Sequence, residues 1–333
     1  MNRLETMWEM WKSMGRRATM PIAVYPGLRF SGRRVCDVTH DVTSQVETQI
    51  AFHEHYRTSV LLSAMDLSVE AEAFGCEIIG SDNEIPTVTG RLVTNQKAAD
   101  VLAVPEFGAG RTAIGPEVVR QLRERYPERP VLGGCIGPFS LATRLAGVSE
   151  TLLLTRTEPQ LVTTLLKKSN EFLIRCVLAF LENGADGVLM AEPAAGLLSP
   201  RGMLTFSSEY IAQIREAIEA VRPEFALIVH NCAAKTAHLE AMLATGCRHF
   251  HFGTPMDMRV AFERVPESVM LYGNLDPSAI FCLASAEDVA QKTRELLEMT
   301  RPYPNFVVSS GCDLPPETNP ANLDAFFGCF DVE

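Results

Sequence analysis

The sequence lacks the features that mark several large classes of protein. Its 333 residues contain no uninterrupted apolar stretch of about 18 residues, the length that a membrane-spanning helix needs. The 30 Lys and Arg residues are outnumbered by 41 Asp and Glu, giving a net charge of −11. Because nucleic-acid binders neutralise phosphates with clustered basic residues, this balance argues against a nucleic-acid partner. No glycine-rich nucleotide-binding motif follows a strand-like segment.

Cysteine pairs with the spacing of a zinc finger or a redox motif are absent as well. The nine cysteines are widely spaced, and no CxxC occurs. Residues 1–15 contain acidic side chains and no apolar core of a secretion signal, so we expect reduced thiols and a cytoplasmic location. The same segment predicts an amphipathic helix with Leu4, Met7, Trp8 and Trp11 on one face.

Short apolar runs alternate with helical patterns from about residue 129 onward. This alternation predicts parallel β/α units whose strands are covered on both faces. The predicted strands are 130–134, 187–191, 225–230, 248–252, 269–273 and 305–310, and the predicted helices are 158–182, 202–221, 234–244, 256–264, 285–300 and 319–329.

The first 128 residues give weaker signals. Segments 20–25 and 59–64 are plausible strands, 42–52 predicts a helix, and 76–94 predicts a β-hairpin. Six strands and two plausible ones in a chain of this length predict an α/β fold, a single (β/α)8 TIM barrel with N-terminal helical and hairpin additions. No linker or internal repeat is present, so residues 1–333 are predicted to form one domain.

Soft metal-binding side chains follow two of the predicted strands, and a TIM barrel holds its chemistry at the C-terminal strand ends. His230 and Cys232 are two residues apart on an extended segment and therefore point to the same side, while Cys312 follows the last strand. One imidazole and two thiolates with an open fourth position are typical of a catalytic Zn²⁺ site. Buried thiols without a metal are the alternative. His249 and His251, in the intervening strand, are expected to be buried and hydrogen-bonded.

Six segments form a set that is spread over nearly the whole chain. They are MDLSVEAEAFGCEI (65–78), IGPFSLATRLAG (136–147), AEPAAGLLSP (191–200), HNC with the helix after it (230–244), GNLDP (273–277) and SSGCDLPPETNPANLDAF (309–326). Together they resemble the uroporphyrinogen decarboxylase superfamily. The resemblance implies a (β/α)8 barrel, in agreement with the strand count.

That superfamily has two main branches with different chemistry. True uroporphyrinogen decarboxylases need no metal and carry an N-terminal Arg-Gln-Ala-Gly-Arg segment that grips substrate carboxylates. The corresponding stretch in this chain, PIAVYPGLRFSGRRV (21–35), lacks that segment. The corrinoid methyltransferase branch, which includes the methylcobamide:coenzyme M methyltransferases, carries H-x-C and a later Gly-Cys that bind one zinc. His230, Cys232 and Cys312 stand at those places, so the sequence resembles this second branch.

The resemblance implies a zinc-dependent methyltransferase that moves a methyl group between a methylated corrinoid (cobalamin) protein and a small acceptor. The acceptor is expected to be a thiol such as coenzyme M, or else tetrahydrofolate. A zinc-bound thiolate would attack the methyl group on Co(III) and displace Co(I). Zn²⁺ is therefore the expected cofactor, and a corrinoid protein is the expected partner.

Two carboxylates are predicted to be catalytic residues beside this metal site. Glu192 ends an earlier strand, where it would be a fourth zinc ligand or would accept a hydrogen bond from a ligand. Asp66 is expected to border the pocket, and Glu70, four residues later, lies either there or on a solvated helix face. Asp276 would contact a substrate or cap a helix, and Asp313 would lie beside the metal ligand Cys312.

Three other functions remain open. A demethylating methyltransferase would load a corrinoid protein from a methylated amine, ether or thioether. A uroporphyrinogen decarboxylase would need no metal, so zinc content separates it from both methyltransferases. A non-catalytic corrinoid-binding subunit would show no activity.

Overall fold

Continuous apolar runs, each followed by a helix, form the centre of the molecule. The computed structural model describes residues 2–15 and 17–330. Seven of the strands in those ranges lie parallel in one sheet, and two more form an antiparallel hairpin. The strands of the large sheet are almost wholly buried, as expected where both faces are covered.

One or more helices lie between each pair of successive strands in the large sheet. The strands are β1 (Leu61–Leu62), β2 (Glu77–Ser81), β3 (Glu84–Thr89), β4 (Val131–Ile136), β5 (Gly187–Ala191), β6 (Ala226–Asn231), β7 (His249–Phe252), β8 (Met270–Leu275) and β9 (Phe306–Ser310). The α-helices are α1 (Arg3–Ser13), α2 (Leu28–Ser31), α3 (Val35–His40), α4 (Val42–Tyr56), α5 (Val69–Ala73), α6 (Gln96–Val101), α7 (Ile114–Arg125), α8 (Pro138–Ala146), α9 (Val148–Thr157), α10 (Pro159–Glu182), α11 (Pro200–Met203), α12 (Glu209–Glu219), α13 (Leu239–Leu243), α14 (Met258–Arg264), α15 (Ala286–Thr300) and α16 (Pro320–Phe327).

The large sheet follows chain order, β1-β4-β5-β6-β7-β8-β9, with the hairpin β2–β3 set aside. Sequential parallel strands joined by helices are the topology of TIM barrels. Side chains from one sheet face, including Leu62 of β1 and Val307 of β9, belong to a single buried cluster. The sheet is therefore curled, and the predicted α/β class with parallel units is confirmed.

The strand predicted at 20–25 is not formed. Thr19 makes a single parallel bridge to Val308 in β9, and the chain then enters a 3₁₀ turn at Tyr25–Gly27. Pro21 has no N–H to donate to a strand ladder, which is one physical reason for the difference. Within the described ranges no backbone hydrogen bond joins this segment to β1. The sheet thus has seven strands, and the predicted eight-stranded barrel is confirmed only in part.

Helix α1 covers the end of the sheet where the strands begin. Leu4, Met7 and Trp8 are buried, as the amphipathic pattern predicts. The indole Nε1 of Trp8 donates a hydrogen bond to the hydroxyl of Tyr272 in β8, at 3.2 Å. The C-terminal strand ends consequently face the other side of the molecule.

The predicted hairpin is confirmed as β2–β3, and Ile85 and Pro86 of β3 lie over the C-terminal strand ends. The predicted helix 202–221 is interrupted. Helix α11 ends at Met203, a π-type turn covers Leu204–Ser208, and α12 begins at Glu209.

Two sequence expectations concern the chain as a whole. All nine cysteines are free thiols. Within the described ranges, no helix combines the length and the apolar character that crossing a bilayer requires.

Two adjacent glycines of β4 provide a test of the packing. A Cβ added at Gly133 would lie 2.3 Å from Cδ1 of the buried Phe180 ring, whereas one at Gly134 would meet nothing nearer than 3.5 Å. We expect Gly133→Ala to lower the free energy of unfolding by about 1–3 kcal/mol, the usual cost of overpacking a core. Gly134→Ala should leave it unchanged or slightly higher, because alanine loses less conformational freedom than glycine. Urea denaturation followed by circular dichroism measures both, and equal losses would contradict the packing.

Candidate metal centre

The three predicted ligands meet at the C-terminal ends of β6 and β9. His230 lies in β6, Cys232 follows that strand directly, and Cys312 comes two residues after β9. One ligand atom from each lies within 4.8 Å of the other two, and Sγ of Cys312 is 3.5 Å from Nε2 of His230. In the part of the chain that the structure describes, no other set of three His, Cys, Asp or Glu side chains converges in this way.

A hydrogen-bond chain behind the cluster sets the tautomer of His230. The hydroxyl of Ser309 donates to the carbonyl oxygen of Met20 at 2.6 Å, so its oxygen accepts from Nε2–H of His251 at 2.8 Å. Burial lowers the pKa of His251 well below its usual range, so this ring stays neutral and its Nδ1 carries a lone pair. Nδ1–H of His230 therefore donates to Nδ1 of His251 at 2.9 Å, which leaves the Nε2 lone pair of His230 facing the two thiols.

The two thiols of the cluster share a proton. A hydrogen bond from the Cys312 thiol lowers the pKa of Cys232 below the usual value of a thiol. The same contact raises the pKa of Cys312. Two thiolates this close repel each other, so without a cation the pair carries one negative charge at neutral pH.

This donor set fits a soft tetrahedral metal ion. Tetrahedral zinc–sulfur bonds of about 2.3 Å and zinc–nitrogen bonds of about 2.0 Å place such ligand atoms roughly 3.5–3.8 Å apart. The observed limit of 4.8 Å is close to that spacing, and Nε2 of His230 presents a lone pair. Nitrogen and sulfur donors suit Zn²⁺ rather than Mg²⁺ or Ca²⁺. Three protein ligands leave a fourth position for another molecule.

Glu192 is not part of this cluster. Its Oε1 accepts from the N–H of Phe139 and the hydroxyl of Ser207, and its Oε2 accepts from the N–H of Ser140, each at 2.8 Å. These amides belong to the first turn of α8, where an anion is favoured by unpaired N–H groups and the helix dipole. The structure thus places the Glu192 carboxylate at the N-terminus of α8, and its assignment as a fourth ligand or catalytic residue stays a prediction.

Asp66 also has both carboxylate oxygens engaged. Oδ1 accepts from the N–H and hydroxyl of Ser68 at 2.9 and 2.6 Å, and Oδ2 accepts from the guanidinium of Arg111. Asp66 borders a small cavity of about 40 Å³ that adjoins the helix α5. It does not line the cavity beside the metal cluster. Its catalytic role stays a prediction.

Asp276 and Glu70 are the two acidic residues for which the sequence left a choice between two locations or roles. Oδ1 of Asp276 accepts from the backbone N–H groups of Ser278 and Ala279, so the capping alternative describes its contacts. Glu70 is buried, which raises its pKa to about 7, so the solvated-face alternative is wrong.

The cluster opens into a cavity of about 230 Å³ between the strand ends and the β2–β3 hairpin. Asp313 lies on its wall, as predicted, and burial raises the pKa of this carboxyl well above its usual range. Arg144 of α8 lies on the same wall, and the sequence analysis did not single it out. The available signal was an arginine among small and apolar residues in the segment SLATRLA. The prediction that His251 is buried and hydrogen-bonded is confirmed. Its partners, His230 and Ser309, were not predicted, because both are distant from it in sequence.

A larger cavity, about 600 Å³, lies elsewhere. It is bounded by Trp8 and Trp11 of α1 and by Met270 and Phe306, the first residues of β8 and β9. This is the end where the strands begin, whereas proteins of the barrel type hold their chemistry at the opposite end.

A curled parallel sheet of seven strands with a His/Cys/Cys cluster at its C-terminal strand ends defines an α/β protein with a candidate site for a soft metal ion. The chain belongs to the uroporphyrinogen decarboxylase (URO-D) family, whose sequence model matches residues 13–331. The family predicted from the sequence is therefore confirmed.

Relatives with two different activities are similar to this chain. The methylcobamide:CoM methyltransferase MtbA of Methanosarcina acetivorans is 30% identical over 268 residues, which cover 79% of this chain and 77% of the relative. The uroporphyrinogen decarboxylase of Psychromonas ingrahamii is 28% identical over 275 residues, which cover 78% and 76%. A solved methyltransferase from Methanosarcina mazei aligns over 95% of this chain and 94% of its own, with a TM-score of 0.84 at 22% identity. That likeness confirms the fold.

The shared proton predicts an unusual pH dependence of alkylation in metal-free protein. Because its pKa is lowered, Cys232 is more fully ionised at pH 6 than an ordinary thiol, so its reaction with iodoacetamide should change less between pH 6 and pH 8 than that of Cys282. Cys282 is the control, because burial raises its pKa and its rate should rise steeply over the same interval. Cys312→Ala removes the donor and should slow Cys232 at pH 6. Peptide mass spectrometry gives the rates, and a parallel rise for both thiols would contradict the shared proton.

Proposed function

We propose that this protein is a zinc-dependent methyltransferase that moves a methyl group between a methylated corrinoid (cobalamin) protein and a small thiol acceptor. The observation that carries the proposal is the convergence of His230, Cys232 and Cys312 within 4.8 Å at the strand ends. The name of the M. acetivorans relative, a methylcobamide:CoM methyltransferase, supports the same activity.

The residues of the chain prepare a neutral site for an incoming thiol. His230 offers Nε2 as a neutral donor because its proton is held at Nδ1 by His251. Cys232 and Cys312 offer two sulfurs, whose combined charge as thiolates would balance a dication. A bound Zn²⁺ would hold the acceptor sulfur as a thiolate at neutral pH, well below the usual pKa of a thiol. The β2–β3 hairpin covers the cavity on one side and limits access of water.

Methyl transfer then balances as a displacement at carbon. A sulfur lone pair of the acceptor forms the new C–S bond while the Co–C bond breaks. Both electrons of that bond remain on cobalt, which changes from Co(III) to Co(I), and the thiol proton leaves to solvent. The corrinoid is a substrate in this step, carried by a partner protein.

A metal-free uroporphyrinogen decarboxylase is the competing function. The 28% identity to a decarboxylase of that name favours it. The stretch 21–35 lacks the arginine pattern that the decarboxylases use for substrate carboxylates, and that chemistry has no need for a His/Cys/Cys cluster. These two features favour the methyltransferase.

Metal content tests the cofactor. We expect about one zinc per chain, the stoichiometry of a single three-ligand site. Cys232→Ala should lose most of it, because two protein ligands hold zinc far more weakly than three. Cys282→Ala is the matched control, a half-buried thiol outside the cluster, and should keep the metal. Elemental analysis of protein purified without chelator measures the content. Full zinc retention in Cys232→Ala would exclude the site.

Turnover tests the reaction. Zinc-loaded protein should transfer the methyl group of free methylcobalamin to 2-mercaptoethanesulfonate slowly, and that of a methylated corrinoid protein faster, since the carrier adds binding energy. Cys312→Ala should lose this activity while keeping its circular dichroism spectrum. The absorbance of the corrinoid reports each transfer. Coproporphyrinogen formation from uroporphyrinogen would favour the decarboxylase instead. Methylation of Co(I) from a methylated substrate, with no transfer to any thiol, would favour the demethylating direction.

A further inference from the structure

The cavity of about 600 Å³ lies at the opposite end of the strands from the metal cluster. Helices α1 and α15 and the first residues of β8 and β9 contribute to its walls. The apolar part of those walls includes Trp8, Trp11, Met270, Leu297 and Phe306. Small-molecule sites in proteins occupy roughly 300–1,000 Å³ and are mostly apolar, so this cavity has the size and the lining to hold an organic molecule.

The charged side chains around this cavity are mostly basic, although the protein as a whole has a net charge of −11. Four cationic side chains and one carboxylate line it, namely Lys12, Arg17, Arg294, Arg301 and Glu298. Arg301 is 3.7 Å from Glu298, and Lys12 is 3.7 Å from Glu9 outside the lining. These exposed pairs are loose and neutralise little of the charge. The cavity therefore carries a local positive charge of opposite sign to that of the protein.

Two of these arginines have no carboxylate within ion-pair distance in the part of the chain that the structure describes. Arg17 is half-buried, and its guanidinium donates to the backbone carbonyl oxygens of Thr300 and Tyr303. Burial lowers the pKa of Arg17, but a guanidinium stays protonated at neutral pH. Within the same ranges, Arg294 is exposed and donates to no protein group. Guanidinium groups beside an apolar cavity are suited to a ligand that supplies the negative charge.

Both tryptophans of the chain lie on the wall of this one cavity. Trp8 is buried, and its indole N–H is already used by the hydroxyl of Tyr272, so it offers the cavity ring surface alone. Trp11 is half-buried on the same helix. Aromatic side chains pack favourably against other rings in stacked or edge-to-face arrangements. The wall consequently favours a planar ring system over a flexible alkyl chain.

We propose that this cavity is a binding site for a small molecule that joins a planar aromatic ring system to an anionic group. The ring system packs against Trp8 and Trp11, and the anionic group lies at Arg17 and Arg294. The inference is independent of the proposed methyl transfer, because the site shares no residue with the His/Cys/Cys cluster or its cavity.

Two fluorescent probes that differ by one charged group test the proposal on the full-length protein. 8-Anilinonaphthalene-1-sulfonate is a planar aromatic anion, and N-phenyl-1-naphthylamine is the same ring system without the sulfonate. The anionic probe should bind and accept excitation energy from tryptophan. Since both tryptophans line the cavity and energy transfer falls steeply with distance, this signal locates the probe.

Substitutions then separate recognition of the charge from burial of the rings. Arg294→Gln should weaken the anionic probe by about 2- to 5-fold, the usual size of an exposed charge contact, and leave the neutral probe unchanged. Trp11→Leu should weaken both probes. Arg144→Gln, beside the metal cluster, and Arg259→Gln, on the exposed face of α14, are matched controls and should change neither. Because Arg294 is exposed, its variant should keep the circular dichroism spectrum of the parent.

Several results would overturn the proposal. Equal weakening of both probes by Arg294→Gln would show an apolar surface that does not recognise an anion. Binding of the anionic probe without energy transfer from tryptophan, or its loss in Arg144→Gln, would place it elsewhere. A dimer in analytical ultracentrifugation that Trp11→Leu dissociates would show that a second copy of the chain covers the cavity. None of these results bears on zinc content or methyl transfer.

Discussion

Strands β6 and β9 are separated by two others, so in a flat sheet their ends would be roughly 14 Å apart. Yet Sγ of Cys312 lies 3.5 Å from Nε2 of His230. The curl of the sheet explains why the observed distance is so much shorter, because it turns the C-terminal ends of distant strands toward a common centre. The rest of the site depends on this constraint. Without the curl, the two cysteines could not share a proton and no cavity would lie between the strand ends and the hairpin.

Several buried polar groups bind the segments that form the walls of that cavity, while their own side chains lie outside its lining. Glu192 binds the first turn of α8, the helix that carries Arg144. Asp66 and Arg111 form a buried pair, and His251 with Ser309 orients the ring of His230. Buried charges are stable only when they are paired or accept several hydrogen bonds, and these groups meet that condition. Their contacts fix the positions of the elements that surround the cavity.

Relatives of this chain carry the names of two different activities, and overall similarity does not separate the two for this chain. Identities of 30% and 28% to a methyltransferase and a decarboxylase are nearly equal. Similarity of the whole chain therefore says less about the reaction than the side chains at the strand ends do. Folds of this type support many reactions because catalytic residues come from loops and strand ends, which change without altering the core. The His/Cys/Cys cluster is such a feature.

Local patterns in the sequence determined the parallel β/α units, the amphipathic α1, the hairpin and the residues of the His/Cys/Cys cluster. Each depends on short-range periodicity: His230 and Cys232 share one side because alternate residues of an extended chain do so. Only the tertiary structure decided the rest. It gave seven strands rather than eight, since Thr19 makes one bridge where a strand was predicted. It also turned Glu192 toward α8 and placed Arg144 on the cavity wall, because the surroundings of a side chain are set by residues far away in the sequence that folding brings alongside it.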